Sequence, residues 1–129
     1  MTLKNALFLK MGYLLGAIAD STVGFLMIVF PSVCLKIYGI NIVLSSEVRF
    51  WMAYAGIAIF TWSAFLIWGL RQLEERKFIA LASAFVVLGF VIAQIVGIFF
   101  GTVSAINMVP LFAMQFILIS LFLIGYFKA

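Results

Sequence analysis

The sequence predicts an all-α membrane protein, an up-down-up-down bundle of four transmembrane helices in a single domain spanning 1–129. Three observations predict it. Of the 129 residues, 67% are hydrophobic and only 9% are charged, against roughly half and a quarter in soluble domains. The apolar residues fall into four continuous runs, about 11–30, 48–70, 78–100 and 108–127, each near the ~20 residues that cross a ~30 Å bilayer core. None alternates apolar and polar residues as barrel strands do. Finally, the runs are joined by two short links, "RQLEERK" and "GTVSAIN", which favour antiparallel neighbours.

The first run, "MGYLLGAIADSTVGFLMIVF", is interrupted by one acid, Asp20. Lys4, Lys10 and Ala17-Ile18-Ala19 imitate a signal peptide, but the apolar run continues unbroken to Phe30, so an uncleaved helix is expected. The next stretch, Pro31 to Arg49, is too apolar for a free loop. It reads as an apolar re-entrant or interfacial segment on the outer surface, with a turn at Gly39-Ile40-Asn41. Ser45, Ser46 and Glu47 form a cap for the second helix, and Asn107 is placed to cap the fourth, with Pro110 in its first turn.

Basic residues set the orientation. Lys4, Lys10, Arg71, Arg76, Lys77 and Lys128 lie on one side of the predicted membrane, and only Lys36 and Arg49 on the other. The positive-inside rule then places both termini in the cytoplasm of a cell whose inner (plasma) membrane holds the chain. The net charge of +4 is explained by these helix ends, so no nucleic-acid partner is expected. The partners expected are the lipid bilayer and a second copy or a larger membrane complex. Within the hairpin, Glu74 and Glu75 are expected to form solvated pairs with their basic neighbours.

Lipid tails are as apolar as leucine, so helices associate through small residues and polar contacts. Gly12, Gly16, Asp20 and Gly24 recur every four residues in the first helix, and Gly89, Ala93, Gly97 and Gly101 in the third. Both ladders read as packing grooves. An alternative is a cleft with a glycine floor and aromatic walls, in which Tyr54 and Trp62 of the second helix would face a cation. Gln94 and Gln115 are expected at similar depth, bonded to each other or serving a ligand.

Asp20 lies near mid-membrane, where an ionised carboxylate costs ~2.5–3.5 kcal/mol. Holding a proton removes that cost, and Thr61 and Ser63 are the expected hydrogen-bond partners. Asp20 is then either a neutral clamp between helices or a group that releases its proton when water or a cation enters.

The chain contains no histidine and one cysteine, Cys34. This removes histidine-held haem and zinc, Ser-His and Cys-His nucleophile pairs, and intrachain dithiol chemistry. Cys34 reads as a small apolar residue. No catalytic residue, metal or cofactor is expected, and the chain does not read as an enzyme.

The stretch "ADSTVGFLMIVFPSVCLKIYGI", with Gly24, Pro31, Leu35 and Gly39, resembles the opening of small DoxX-like bacterial membrane proteins. Gly56 and the charged hairpin agree with that layout. The resemblance implies four helices and no catalytic residue. Asp20 is also similar in position to the single carboxylate of small multidrug exporters, although those use glutamate and a shorter first loop. Two functions follow as expectations: a non-enzymatic accessory subunit or binder of a hydrophobic small molecule, or a dimeric proton-coupled transporter of small cationic or amphipathic compounds.

Overall fold

The computed structural model describes residues 2–128, and the regular elements among them are all helical. They are α1 (Leu3–Val29), α2 (Pro31–Tyr38), α3 (Ser46–Arg71), α4 (Phe78–Phe99) and α5 (Ala105–Phe127). Helices α1, α3, α4 and α5 are each long and apolar enough to cross a membrane. The fifth helix, α2, is an addition to the expected architecture.

Helix α1 begins well before the apolar run. The Thr2 hydroxyl accepts from the amide of Asn5 at 3.3 Å and caps it, so Lys4 and Lys10 lie inside the helix rather than before it. The Asn5 side-chain amide donates to the carbonyl of Lys128, tying this end of α1 to the end of α5. Twenty-seven residues span about 40 Å at ~1.5 Å each, more than a bilayer core needs.

The interfacial segment is a short helix followed by an extended link. Pro31 occupies the first turn of α2, where its missing N–H costs nothing. Gly39 ends it at φ 66°, a left-handed position that glycine adopts without steric cost. The Gly39 and Ile40 amides then reach the Lys36 and Leu35 carbonyls at 3.1 and 2.9 Å. Pro31, Cys34 and Leu35 are buried, so one face of α2 packs on the bundle end. Ser45 caps α3 as expected, accepting from Val48 at 3.2 Å.

Asn107 does not cap α5, which already starts at Ala105. Its amide instead donates to the Lys36 and Ile37 carbonyls, each at 3.3 Å, and pins the end of α2. Pro110 consequently lies inside the helix rather than in its first turn. Arg76 donates to the Trp68 carbonyl at 2.7 Å and stacks 3.8 Å from the Trp68 ring centre, closing the end of α3.

Helix α1 is the hub of the packing. It lies closely along α3 and also meets α5, and α4 packs on α5. Positions along α1 and α3 pair in opposite senses: Tyr13 approaches Gly69, Gly16 approaches Leu66, and Gly24 approaches Gly56. Helices α3 and α4, joined by the short hairpin, share few close approaches, contrary to the expectation that they pack as neighbours. They touch at the hairpin end, where the Trp62 indole donates to Ser83 at 3.1 Å. The small-residue face of α3 at Gly56 is turned to α1. The dense core, including Leu9, Tyr13, Leu66, Ile79 and Phe122, fills the half of the bundle nearer the hairpin.

Only one of the two expected ladders is a packing surface. Gly12 faces the Phe122 ring, Gly16 faces Leu66 and Phe122, and Gly24 faces the backbone of Gly56 and Phe60. In α4 the ladder is dispersed. Gly89 has nothing within 4 Å of where a Cβ would lie, and Gly97 meets only Val103 of the following loop. Gly101 terminates the helix at φ 73°, with Thr102 N–H reaching the Gly97 carbonyl at 2.8 Å. The buried stripe of α4 follows Ala80, Ala84, Val91 and Gln94 instead.

Candidate functional site

A cavity of about 370 Å³ occupies the half of the bundle away from the hairpin. That size falls in the ~300–1,000 Å³ range of small-molecule sites. All five helices contribute to it. Val23 and Met27 come from α1, Met52 from α3, Val87 from α4, and Met114 and Leu118 from α5. Cys34, Leu35 and Tyr38 of α2 close the end, which is why the apolar stretch after α1 is covered.

Asp20, Gln94 and Gln115 bring polar side chains to this apolar space, with the Tyr38 phenol at its α2 end. Asp20 belongs to the ladder of fours but not to a single groove. Four residues advance a helix by about 40° beyond one full turn. The ladder therefore rotates from α5 at Gly12 to α3 at Gly24, while the longer Asp20 side chain reaches the cavity. It makes no hydrogen bond or ion pair with another described residue.

The expected partners of Asp20 are elsewhere. Thr61 is exposed, about 200° around α3 from the cavity-lining Ile59. Ser63 is buried, but its hydroxyl donates to the Phe60 carbonyl at 2.6 Å, satisfying itself within its own helix. The hydrogen-bonded clamp expected at Asp20 is therefore not formed.

Gln94 and Gln115 are 9% and 7% exposed. Both Oε1 atoms are buried without a hydrogen-bond partner, so the expected bond between the two side chains is absent. Register explains this. Gln94 lies five residues from the last residue of α4, whereas the early start of α5 puts Gln115 ten residues inside it. At ~1.5 Å per residue their depths differ by roughly 7 Å.

The two expected aromatic walls separate. Tyr54 is 64% exposed and clusters with Phe50 and Trp51 on the outside of α3. Trp62 lines a second recess, about 170 Å³, together with Asp20, Ala58, Ile59, Val86 and Phe90. Asp20, Ile59 and Phe90 line both spaces. The recess thus adjoins the cavity between α3 and α4, with Trp62, which donates to Ser83, in its wall.

The residues beyond sequence reasoning are Cys34, Tyr38 and the methionines. The excess apolarity of "PSVCLKIY" signals that α2 is covered, but not what it covers. Burial pushes the Cys34 thiol up from its ordinary value. Burial likewise raises the Tyr38 phenol, with smaller contributions from Cys34 and from the Asp20 carboxylate. Both groups therefore stay neutral at physiological pH, and Asp20 is the one anionic candidate in the cavity wall. No group of three or more His, Cys, Asp or Glu among the described residues could hold a metal ion. The arrangement offers apolar walls together with acceptors on Asp20, Gln94 and Gln115 that have no hydrogen-bond partner among the described residues. No protein-family model, curated protein or solved structure matches the chain.

Proposed function

We propose that this chain is a multi-pass membrane protein that binds a small amphipathic molecule in the cavity beneath α2, without catalysis, alone or as a subunit of a larger membrane complex. The observation that carries the reading is the pairing of an apolar cavity of about 370 Å³ with buried, unpartnered Gln94 and Gln115 and an unpartnered Asp20. Unsatisfied buried polar atoms cost ~1–3 kcal/mol each, and a ligand that bonds them recovers that cost. In this reading α1, α3, α4 and α5 cross the inner (plasma) membrane in alternating directions, the layout implied by the DoxX-like resemblance. Both termini and the 72–77 hairpin lie in the cytoplasm, with α2 at the outer face.

The test is saturable binding of an amphipathic probe to the purified protein. Trp62 faces the recess, so with Trp51 and Trp68 replaced by Phe its emission should shift as the probe binds. An emission that changes only linearly with probe, as for partition into detergent, would sink the reading.

A second reading, a dimeric proton-coupled transporter, is favoured by one observation: Asp20 lines both the cavity and the recess between α3 and α4. Proteoliposomes with an imposed pH gradient separate the two. Gradient-driven accumulation of an amphipathic amine, lost in Asp20→Asn, is expected only of the transporter.

A further inference from the structure

The unpaired groups of the cavity define the chemistry of what fills it. The two orphaned glutamine atoms, on α4 and α5, are both oxygens, so both lack a donor. Asp20, on α1, adds a carboxylate, an acceptor only when ionised. A partner that satisfies the two buried oxygens supplies N–H or O–H groups and tolerates or neutralises a negative charge. An anion would be repelled by Asp20. A quaternary ammonium would match the charge but carries no N–H, leaving both glutamine oxygens unpaired. An alcohol donates once and carries no charge. A primary ammonium has three donors and one positive charge, so it matches the carboxylate and still has N–H groups for the glutamine oxygens.

The apolar walls and the recess define the rest of the molecule. At the ~30 Å³ that a water occupies in the liquid, about 370 Å³ holds roughly a dozen non-hydrogen atoms. Met27, Met52 and Met114 line it, and methionine adapts to flexible chains better than branched side chains do. The recess leads from Asp20 to the parting of α3 and α4, past Trp62 and Phe90, whose ring faces favour a passing cation.

We propose that the cavity takes a single-chain primary amine, its ammonium paired with Asp20 and donating to Gln94 or Gln115 and its chain lying among the methionines, and that the amine reaches the cavity from the bilayer between α3 and α4. The proposal rests on the binding reading above and adds the headgroup and the route. The same ammonium could belong to a free alkylamine or to the headgroup of an ethanolamine lipid.

The experiment titrates the Trp62-only protein, in phosphatidylcholine nanodiscs, with decylamine, decyltrimethylammonium and decanol. Decylamine should bind at least about tenfold tighter than either, the difference expected from one hydrogen bond to a charged group. The Gln94→Leu/Gln115→Leu variant should weaken decylamine about tenfold and leave decyltrimethylammonium unchanged. Because both oxygens are unpaired in the protein, this variant should fold; thermal unfolding checks that, and each single variant serves if the pair does not. Equal affinity for the amine and its trimethyl analogue, or decylamine binding untouched by the variants, overturns the proposal while the cavity reading stands. No saturable binding of any of the three overturns both. Repeating the titration with phosphatidylethanolamine in the nanodiscs distinguishes the sources. Competition assigns the ammonium to the lipid headgroup, unchanged binding assigns it to a free amine, and either supports the ammonium site. Narrowing the route with Ala58→Trp should slow decylamine binding at unchanged affinity; an unchanged on-rate overturns access between α3 and α4.

Discussion

Gly24 and Gly56 form the crossing point of α1 and α3. A Cβ on Gly24 would lie 2.7 Å from the Gly56 carbonyl oxygen, and a Cβ on Gly56 would lie 2.9 Å from that of Gly24. Each glycine admits the other's backbone, and backbone cannot rotate away as a side chain can. Gly24→Ala or Gly56→Ala should therefore destabilise the protein by ~1–3 kcal/mol, the usual cost of forced overpacking. Gly89→Ala, with nothing within 4 Å, should be neutral or slightly stabilising, since alanine favours helix by ~1 kcal/mol over glycine. Thermal unfolding in detergent measures all three. A tolerated Gly24→Ala beside a damaging Gly89→Ala would contradict the packing described.

Asp20→Asn should leave thermal stability unchanged or raise it. The carboxyl has no hydrogen-bond partner among the described residues to lose, and the amide keeps its shape without being able to ionise in an apolar cavity. A large loss of stability would restore the clamp between helices that the structure lacks.

Ser83→Ala should cost ~0.6–2 kcal/mol, the range of interhelical hydrogen bonds in membranes, because it removes the Trp62–Ser83 bond at 3.1 Å. The Trp62 indole then lacks its partner, and its emission should shift in the Trp62-only protein. Ser83→Thr should restore both readouts.

Cys34 reports on the seating of α2. It is 4% exposed, and burial raises its thiol, so maleimide labelling at pH 7 should be at least about tenfold slower than for an exposed cysteine. The folded-state value lies above the unfolded one. Its contribution to stability is therefore complete below the ordinary thiol value of about 8.5 and lost as pH rises through the higher folded value. Asn107→Ala removes the two bonds that hold the end of α2 and should accelerate labelling. An unchanged rate would mean that the apolar face of α2 holds it without Asn107.

Orientation is testable by impermeant labelling in cells with Cys34 replaced by Ala. Thr102→Cys, exposed in the link before α5, should react from outside, and Gln72→Cys only after the membrane is opened. The opposite pattern would invert the chain. Cys34 itself is too buried to serve as the outer reporter.

By itself the sequence determined that four stretches form long apolar helices, because a continuous apolar run, unlike an alternating barrel strand, satisfies its backbone hydrogen bonds in hydrocarbon only within itself. Ser45 as a cap, Gly39 as a turn and the covered nature of "PSVCLKIY" were also legible, since each depends on neighbours in the chain. The presence of Asp20, Gln94 and Gln115 in apolar runs marked them as residues of interest. Which of them share a space was decided only by the tertiary structure. Their convergence depends on α1 pairing with α3 through Gly24 and Gly56, on α5 starting at Ala105, and on α3 and α4 parting beyond Trp62 and Ser83. Each of these is a contact between residues far apart in sequence, and in apolar helices with many small residues the pattern offers several equivalent faces. Close backbone approach selects one of them, and the cavity is the space which that selection leaves.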